Sequence, residues 1–417
     1  MKDLTKTDWR AIGQRVSSGK CTPIFSDRLY DHVLPRLNSL PIVWAKDIEY
    51  PLGKNINQTQ LSQYLSITIG DNAAKEQYLT FVKAYYVAQK VGIPIDRIIN
   101  KYGSRLAKVS LSTVLKQLGI FKNGASNIED TLSILAKLPI PVYITTSFFN
   151  FIELALERVG KDPETEVCLW NEQLHKGTKI SDSNPMSMLC QMLKQSFNID
   201  ELDDLCFELG LEFENLKGAT RSGRARELLT YLERRDELHR LIEYGKKVRP
   251  HIEWSDFTDR MISNPNGNAV APTLSSIFKQ NFSYQPSYQN PLVFHLYGLE
   301  THPYSMALTE DNYLDFLMRI SQQKQLIPPW VARTLENHSL LLLGYNIHSW
   351  DFRTLFRGLI SSRRGSAREI SVAIQLKPEE YSRGARAYLE HYFGNVEFKV
   401  YWGTAQNFLS EILTYVG

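Results

Sequence analysis

Short uninterrupted apolar runs alternate along this chain with longer stretches in which apolar residues return every three or four positions. The runs read as strands: Thr22–Phe25, Pro141–Thr146, Leu292–Phe294, Ser339–Gly344, Glu369–Leu376 and Val396–Tyr401. A strand covered on both faces has no polar alternate, so a run such as SLLLL marks a strand buried inside a parallel sheet. The periodic stretches read as amphipathic helices. Leu4–Val16 sets Trp9, Ile12 and Val16 on one side, and Lys75–Gly92 does the same with Tyr78, Phe81, Val82, Tyr85 and Tyr86. Gln60–Ile69, Ile95–Lys108, Leu111–Leu118 and Ile128–Lys137 continue the pattern, and Tyr30–Ile48 carries it with breaks at Pro35 and Pro41. Phe148–Val159, Trp350–Ile360, Tyr381–Phe393 and Thr404–Tyr415 follow strands directly. Strands alternating with helices predict an α/β chain with a Rossmann-like, doubly wound parallel sheet.

Leu292–Ile320 organises the rest. Its apolar run is ended by Gly298, and Thr309 followed by Glu310 and Asp311 marks a helix start, a hydroxyl cap with carboxylates near the positive end of the dipole. The tetrad His295-Leu296-Tyr297-Gly298 is thereby placed at the carboxyl end of a parallel strand, the edge where open α/β sheets bind ligands. The turn Thr145-Thr146-Ser147 after the second strand offers hydroxyls and backbone N–H groups to an anion, with Ser147 placed to cap the next helix. Between Gly19 and Gly53 there is no glycine, so the turn Ser26-Asp27-Arg28 is no Gly-rich phosphate cradle.

Met188–Ile252 differs: it is helical throughout, with apolar stripes Leu189/Met192/Leu193/Phe197, Leu202/Leu205/Cys206/Leu209, Leu228/Leu229/Leu232 and Leu238/Leu241/Ile242. Its charges are segregated. Asp200, Glu201, Asp203, Asp204, Glu208, Glu212 and Glu214 come first, and Arg221, Arg224, Arg234, Arg235 and other bases follow. Such a module either pairs acid to base with a like module or simply keeps a wet surface. The expected organisation is an α/β domain in two parts, 1–187 and 291–417, an inserted all-α bundle at 188–253 and a linker at 254–290 rich in Ser, Asn, Pro and Gln.

Composition narrows the function. A net charge of +3 over 417 residues gives no polybasic signal for nucleic acid or membrane. Four scattered cysteines fit free thiols in a reducing, cytoplasmic setting, and His302, His338 and His348 form no ligand spacing, so no metal is expected. Gly344 permits close backbone approach, and Asn346 serves either a ribose or its own turn. Asp351 reads first as a helix-start carboxylate and second as an acid. Arg353 and Arg357, a turn apart, bind phosphate or pair on the surface.

Six segments carry a family resemblance: GKCTPIFS (Gly19–Ser26), PVYITTS (Pro141–Ser147), VFHLYG (Val293–Gly298), SMALTEDNYLDFL (Ser305–Leu317), LLLLGYNIHSWDFRTLFRGLI (Leu340–Ile360) and YWGTAQNFLSEIL (Tyr401–Leu413). They resemble the sirtuin-like domains of prokaryotic conflict and antiphage systems. The helical insert, through FNIDELDDLCFELGLEFENLKG, ARELLTYLERR and VRPHIEW, resembles effector-associated or death-like domains. Active members of the sirtuin-like family cleave NAD between nicotinamide and ribose. The resemblance implies a Gly-Ala-Gly loop at Ser26, Asp27 and Arg28, an Asn and Asp at Ser147 and Phe149, and a His at Tyr297; all are replaced. Side chains at the loop crowd a diphosphate, and Tyr297, with an ordinary pKa near 10, is a poor general base at neutral pH.

The expectation is a pseudoenzyme that scaffolds an assembly, with itself or with proteins bearing a like helical domain. It engages no nucleic acid or membrane, requires no cofactor, and leaves room for NAD or ADP-ribose. Ser26, Thr145, Thr146, Ser147, Gly298, Gly344, Asn346 and Asp351 are the candidate nucleotide contacts. Asp203, Asp204, Glu208, Arg224, Arg234 and Arg235 are the candidate partner contacts. The alternative is an NAD hydrolase activated by oligomerisation, with His295, Thr146 or Asn346 standing in for the missing groups. His295, two residues from Tyr297, would share its side of an alternating strand.

Overall fold

The computed structural model describes residues 4–30, 39–51, 56–103, 105–117, 131–168, 170–171, 189–190, 192–193, 197, 199–211, 221–235, 237–249, 254, 285–323, 326–360, 372–394 and 398–416. The chain divides into two compact units. One comprises Met1–Val159, Pro163–Asn171 and Pro286–Gly417; the other comprises Gly160–Asp162 and Glu172–Gln285.

The first unit is built on a seven-stranded, wholly parallel sheet. Its strands are β1 (Cys21–Phe25), β2 (Val142–Thr145), β3 (Glu164–Val167), β4 (Leu292–His295), β5 (Ser339–Leu343), β6 (Val372–Leu376) and β7 (Phe398–Trp402), in the spatial order β3-β4-β2-β1-β5-β6-β7. Every residue of β1, β2, β4 and β5 is buried, as the unbroken apolar runs require. Pro23, which has no N–H to give, falls where β1 pairs with β5 alone; pairing with β2 begins at Ile24. The edge strand β3, ETEV, is the one the apolar pattern does not announce, because three of its four residues are only half-buried.

The helices follow the periodicity, with shifted ends. Lys6–Ser17 is opened by a reciprocal capping box between Thr5 and Asp8, and it buries Trp9, Ile12 and Val16. The stretch read as one helix, Ile95–Lys108, is two, Ile95–Tyr102 and Arg105–Lys108, parted at Gly103 with φ +51°. The stretch after β2 begins its helix at Phe151, three residues later than expected. Ser147 is not that helix's cap: its hydroxyl accepts the Phe149 N–H at 3.0 Å and closes a local turn. Pro329–Asn337 is a helix the reading omitted. Thr309 caps Glu310–Gln322 in a reciprocal box with Asn312.

Within the second unit the described helices are Ile199–Glu208, Arg221–Arg234 and Leu238–Val248. The four apolar stripes meet in one core, closed by Trp254 at 1% exposure. Its indole donates to the Arg249 carbonyl at 3.0 Å, so the helical unit reaches at least one residue past the boundary expected at 253. The stretch 255–284 lies outside the described residues.

Candidate ligand cleft

Chain order reverses at β1: β2 lies on one side of it and β5 on the other. A crevice opens at the carboxyl ends of strands arranged in this way, because the loops leaving them diverge. Here it is a cavity of about 500 Å³. The turn after β1 supplies Ser26, Asp27 and Arg28, the turn after β2 supplies Thr146 and Phe148, the loop after β5 supplies Asn346, and the helix it leads into, Trp350–Leu355, supplies Asp351 and Arg353. Helix Gln58–Ile69 and helix Glu310–Gln322 close the top. They are tied where the Gln63 amide donates to Asp311 Oδ2 at 2.7 Å and Gln63 Oε1 accepts the Asp311 N–H at 3.1 Å. Trp350 Nε1 donates to Glu310 Oε1 at 3.2 Å beside them.

The loop after β1 is braced rather than open. Ser26 Oγ donates to the Gly344 carbonyl, and the Ser26 N–H donates to the Leu343 carbonyl at 3.2 Å. Gly344, at φ +72°, faces that loop: an added Cβ would lie 3.0 Å from the Leu29 nitrogen. Its small size therefore serves the packing of β5 against the β1 turn, and it does not line the cavity. Arg28 is held in an ion pair with Glu380 at 2.9 Å.

Asp27 stands between them. It lines the cavity and is half-buried, and its Oδ1 is shielded from solvent with no hydrogen-bond partner. Burial raises its pKa to about 7. The Ser147 hydroxyl opposes the shift, and the charges of Asp351 and Glu300 add to it. Asp351 is likewise raised by burial, against the Ser349 hydroxyl. Two carboxyls that resist ionisation thus share one cleft.

The three positions that would carry glycosidic cleavage are withdrawn from it. The Ser147 side chain is fully buried in its own turn, and Phe149 is buried at 1% exposure against Phe151. Tyr297 is wholly buried, its ring edge-on to Tyr313 and Phe316 with centroids 5.1 and 4.8 Å away. Its hydroxyl donates to the Asp351 carbonyl at 2.7 Å and lies 2.6 Å from Thr354 Oγ1. Burial pushes its pKa well above 10, further from any base role.

His295 does not share Tyr297's surroundings as strand alternation would predict, because β4 ends at His295 and the chain turns before Tyr297. The imidazole is fully buried and does not line the cavity. A carbonyl only accepts, so Nδ1 carries hydrogen and donates to the Ser147 carbonyl at 3.0 Å. Nε2 lies 2.7 Å from Glu153 Oε1.

The remaining candidates divide. Thr146 and Asn346 line the cavity; Thr145 and Gly298 do not. Thr145 Oγ1 accepts the Ser147 N–H at 3.0 Å. Gly298, at φ +99°, is pressed to 2.4 Å from the Ser305 backbone by where its Cβ would be. Asn346 Oδ1 accepts the His348 N–H at 3.0 Å, so turn chemistry uses one end of the amide. Ser349 Oγ donates to the Asn346 carbonyl at 2.6 Å instead of capping the following helix.

Several residues that shape the cleft bear no sequence signal. Lys83 Nζ lies 2.9 Å from Glu300 Oε2, both side chains at zero exposure. Lys83 donates also to the carbonyls of Ala107 and Val109, and Glu300 accepts the Leu111 N–H. Together they pin the helical block to the loop after β4. A lysine on an amphipathic helix is ordinarily read as solvated, so only the fold reveals the pair. Gln58 and Gln60 line the cavity from the first turn of helix Gln58–Ile69, which the periodicity started at Gln60.

In the helical unit, part of the segregated charge is used internally. Arg249 pairs with Glu201 at 2.6 Å, and Arg224 Nε lies 3.9 Å from Asp203. Arg235 stacks over Tyr231 at 4.3 Å. Asp204 and Glu208 are exposed and flank Phe207, which is 81% exposed. The side chain of Arg234 lies outside the described residues.

Among the described residues, no cluster of three or more His, Cys, Asp or Glu side chains could hold a metal ion, and no helix is long and apolar enough to cross a membrane. Residues 260–396 match the family model of the SIR2-like domain, and residues 189–250 match that of effector-associated domain 7. No curated protein matches the chain. The chain thus carries a SIR2-like domain with an effector-associated domain, a pairing that indicates a protein of a conflict or defence system. The SIR2-like match takes in β4, β5, β6 and Tyr297; β1 and β2, with the altered loop and Ser147, lie outside it.

Proposed function

We propose that this protein is a SIR2-like pseudoenzyme that works as an oligomeric scaffold or adaptor in a prokaryotic defence or conflict system, assembling through its effector-associated domain. One observation carries the reading. The Tyr297 hydroxyl, at the position where the family's general base belongs, is buried and bound to Asp351 and Thr354 instead of facing the cleft. A base must reach the proton it removes, and this group can neither reach it nor ionise near neutrality. His295 offers no substitute, since both its nitrogens are engaged.

Assembly is assigned to the helical unit. The face bearing Asp204, Phe207 and Glu208 joins an exposed aromatic to exposed acids at helical spacing, and it suits a basic surface on a like domain. Full-length protein incubated with NAD should release no nicotinamide above buffer, whether dilute or concentrated. Light scattering should show association that weakens with added salt and with Asp204→Lys/Glu208→Lys or Arg235→Glu. Turnover of NAD, or association indifferent to salt and to these reversals, would remove the respective half of the proposal.

A further inference from the structure

The cleft itself states what it will accept. Asp27 Oδ1 is a buried acceptor with no donor. Leaving such an atom unmatched is costly, so a ligand seated there gains most by bringing an O–H, an N–H or a positive charge. Phosphate brings neither: at neutral pH it is chiefly an acceptor and carries negative charge of its own. Asp351 lines the same cavity, and its charge and that of the buried Glu300 act on Asp27 through space. Of the cations that line the cavity, Arg28 is paired to Glu380, and Arg353 is exposed on the helix after β5; Lys83, outside the cavity, is paired to Glu300. The His295 imidazole is engaged by Glu153 and Ser147. The turn after β1, where the sirtuin-like pattern would place glycines, therefore offers a diphosphate a carboxylate and no uncommitted cation.

The other walls fit the rest of a nucleoside. Phe148, Tyr313 and Trp350 supply aromatic surface for a base, and Gln58, Gln60 and Asn346 supply amides that both donate and accept. Carboxylates are good partners for vicinal sugar hydroxyls, each of which donates a hydrogen bond. A volume of about 500 Å³ lies within the range of small-molecule sites.

We infer that this cleft binds a phosphate-free nucleoside, with the sugar hydroxyls or a cationic base directed at Asp27 and Asp351, and rejects the corresponding 5′-phosphate. The inference rests on reading the cleft as one that no longer cleaves its ligand. It makes the SIR2-like unit a receptor for a nucleoside rather than a consumer of a dinucleotide.

Calorimetry on the full chain tests it with pairs differing only by phosphate: adenosine against AMP, and nicotinamide riboside against nicotinamide mononucleotide. Near pH 8, at least one nucleoside should bind, and bind about tenfold or more tighter than its phosphate, the scale of a like-charge contact in a partly buried site. Asp27→Asn keeps the shape and removes the charge, and it should bring each phosphate to within about threefold of its nucleoside. Asp351→Asn should move the same ratio in the same direction. Phosphates that bind wild type as tightly as nucleosides would overturn the inference, as would the absence of binding by both nucleosides at millimolar concentration. Chromatography of the same mixtures separates the two readings. Free nicotinamide from the riboside would refute the non-cleaving reading while leaving the measured phosphate discrimination intact.

Discussion

His295 Nε2 lies 2.7 Å from Glu153 Oε1, and the same imidazole donates from Nδ1 to the Ser147 carbonyl at 3.0 Å. One ring thus joins the end of β4, the turn after β2 and the helix that follows it. Thr165 of β3 adds a hydroxyl to the same Glu153 oxygen at 3.3 Å. The histidine that only the alternative reading enlisted for catalysis has both nitrogens engaged in this brace. Truncation to His295→Ala strands a buried carboxyl and a buried carbonyl, and should cost about 3–5 kcal/mol. Chemical denaturation followed by tryptophan fluorescence measures this; a loss under about 1 kcal/mol would mean the brace carries little.

Lys83 and Glu300 form the other internal tie, 2.9 Å apart and without solvent contact. Lys83→Met leaves Glu300 among apolar neighbours and should destabilise the unit by about 3–5 kcal/mol. Adding Glu300→Leu should restore part of that loss, because the stranded charge is then gone. If the double variant were as unstable as the sum of the singles, the two residues would not be acting as a pair.

Asp27 predicts a pH dependence of stability. Its carboxyl is raised by burial from an ordinary 3.8 to about 7 when folded. The native chain therefore holds this proton more tightly than the unfolded chain. Stability from this group is full below the unfolded pKa and is lost as pH rises through about 7. Each unit of separation is worth about 1.4 kcal/mol. Asp27→Asn cannot ionise, so relative to wild type it should gain stability between about pH 4 and pH 7. Denaturation midpoints across that interval decide the matter, and parallel curves would contradict the assignment.

Gly298 sits at φ +99° with the Ser305 carbonyl 2.4 Å from where a Cβ would be. Gly298→Ala meets both a forbidden backbone region and rigid neighbouring backbone, and should cost at least about 1–3 kcal/mol. The thermal midpoint should fall, while the control Gly384→Ala, with open space around it, should leave it nearly unchanged.

Gly245 makes the equivalent point in the helical unit, where an added Cβ would lie 2.2 Å from the Trp254 ring. Gly245→Ala should therefore loosen the core that Trp254 closes, despite alanine's better helix propensity. Tryptophan emission shifted to the red reports it, and an unshifted spectrum with an unchanged midpoint would refute it.

The apolar pattern of the chain determined the parallel sheet, the helix-bundle character of the insert and the edge at which the cleft opens. Period and run length follow from how a strand or helix meets a core, and such information is local. Thr309 as a helix cap, and the four stripes of the insert, were legible for that reason. The strand β3 was not, because a half-buried edge strand leaves only a faint alternation. Which residues face the cleft was decided by the tertiary structure. Tyr297 and His295 are two positions apart, yet the chain turns between them, and one meets Thr354 while the other meets Glu153. Asp203 and Arg224, read as surface for a partner, form an ion pair with one another. Burial of Asp27 and the pairing of Lys83 with Glu300 arise from segments far apart along the chain. A pattern within one segment records which side is apolar; it carries no record of which charge the opposing segment brings.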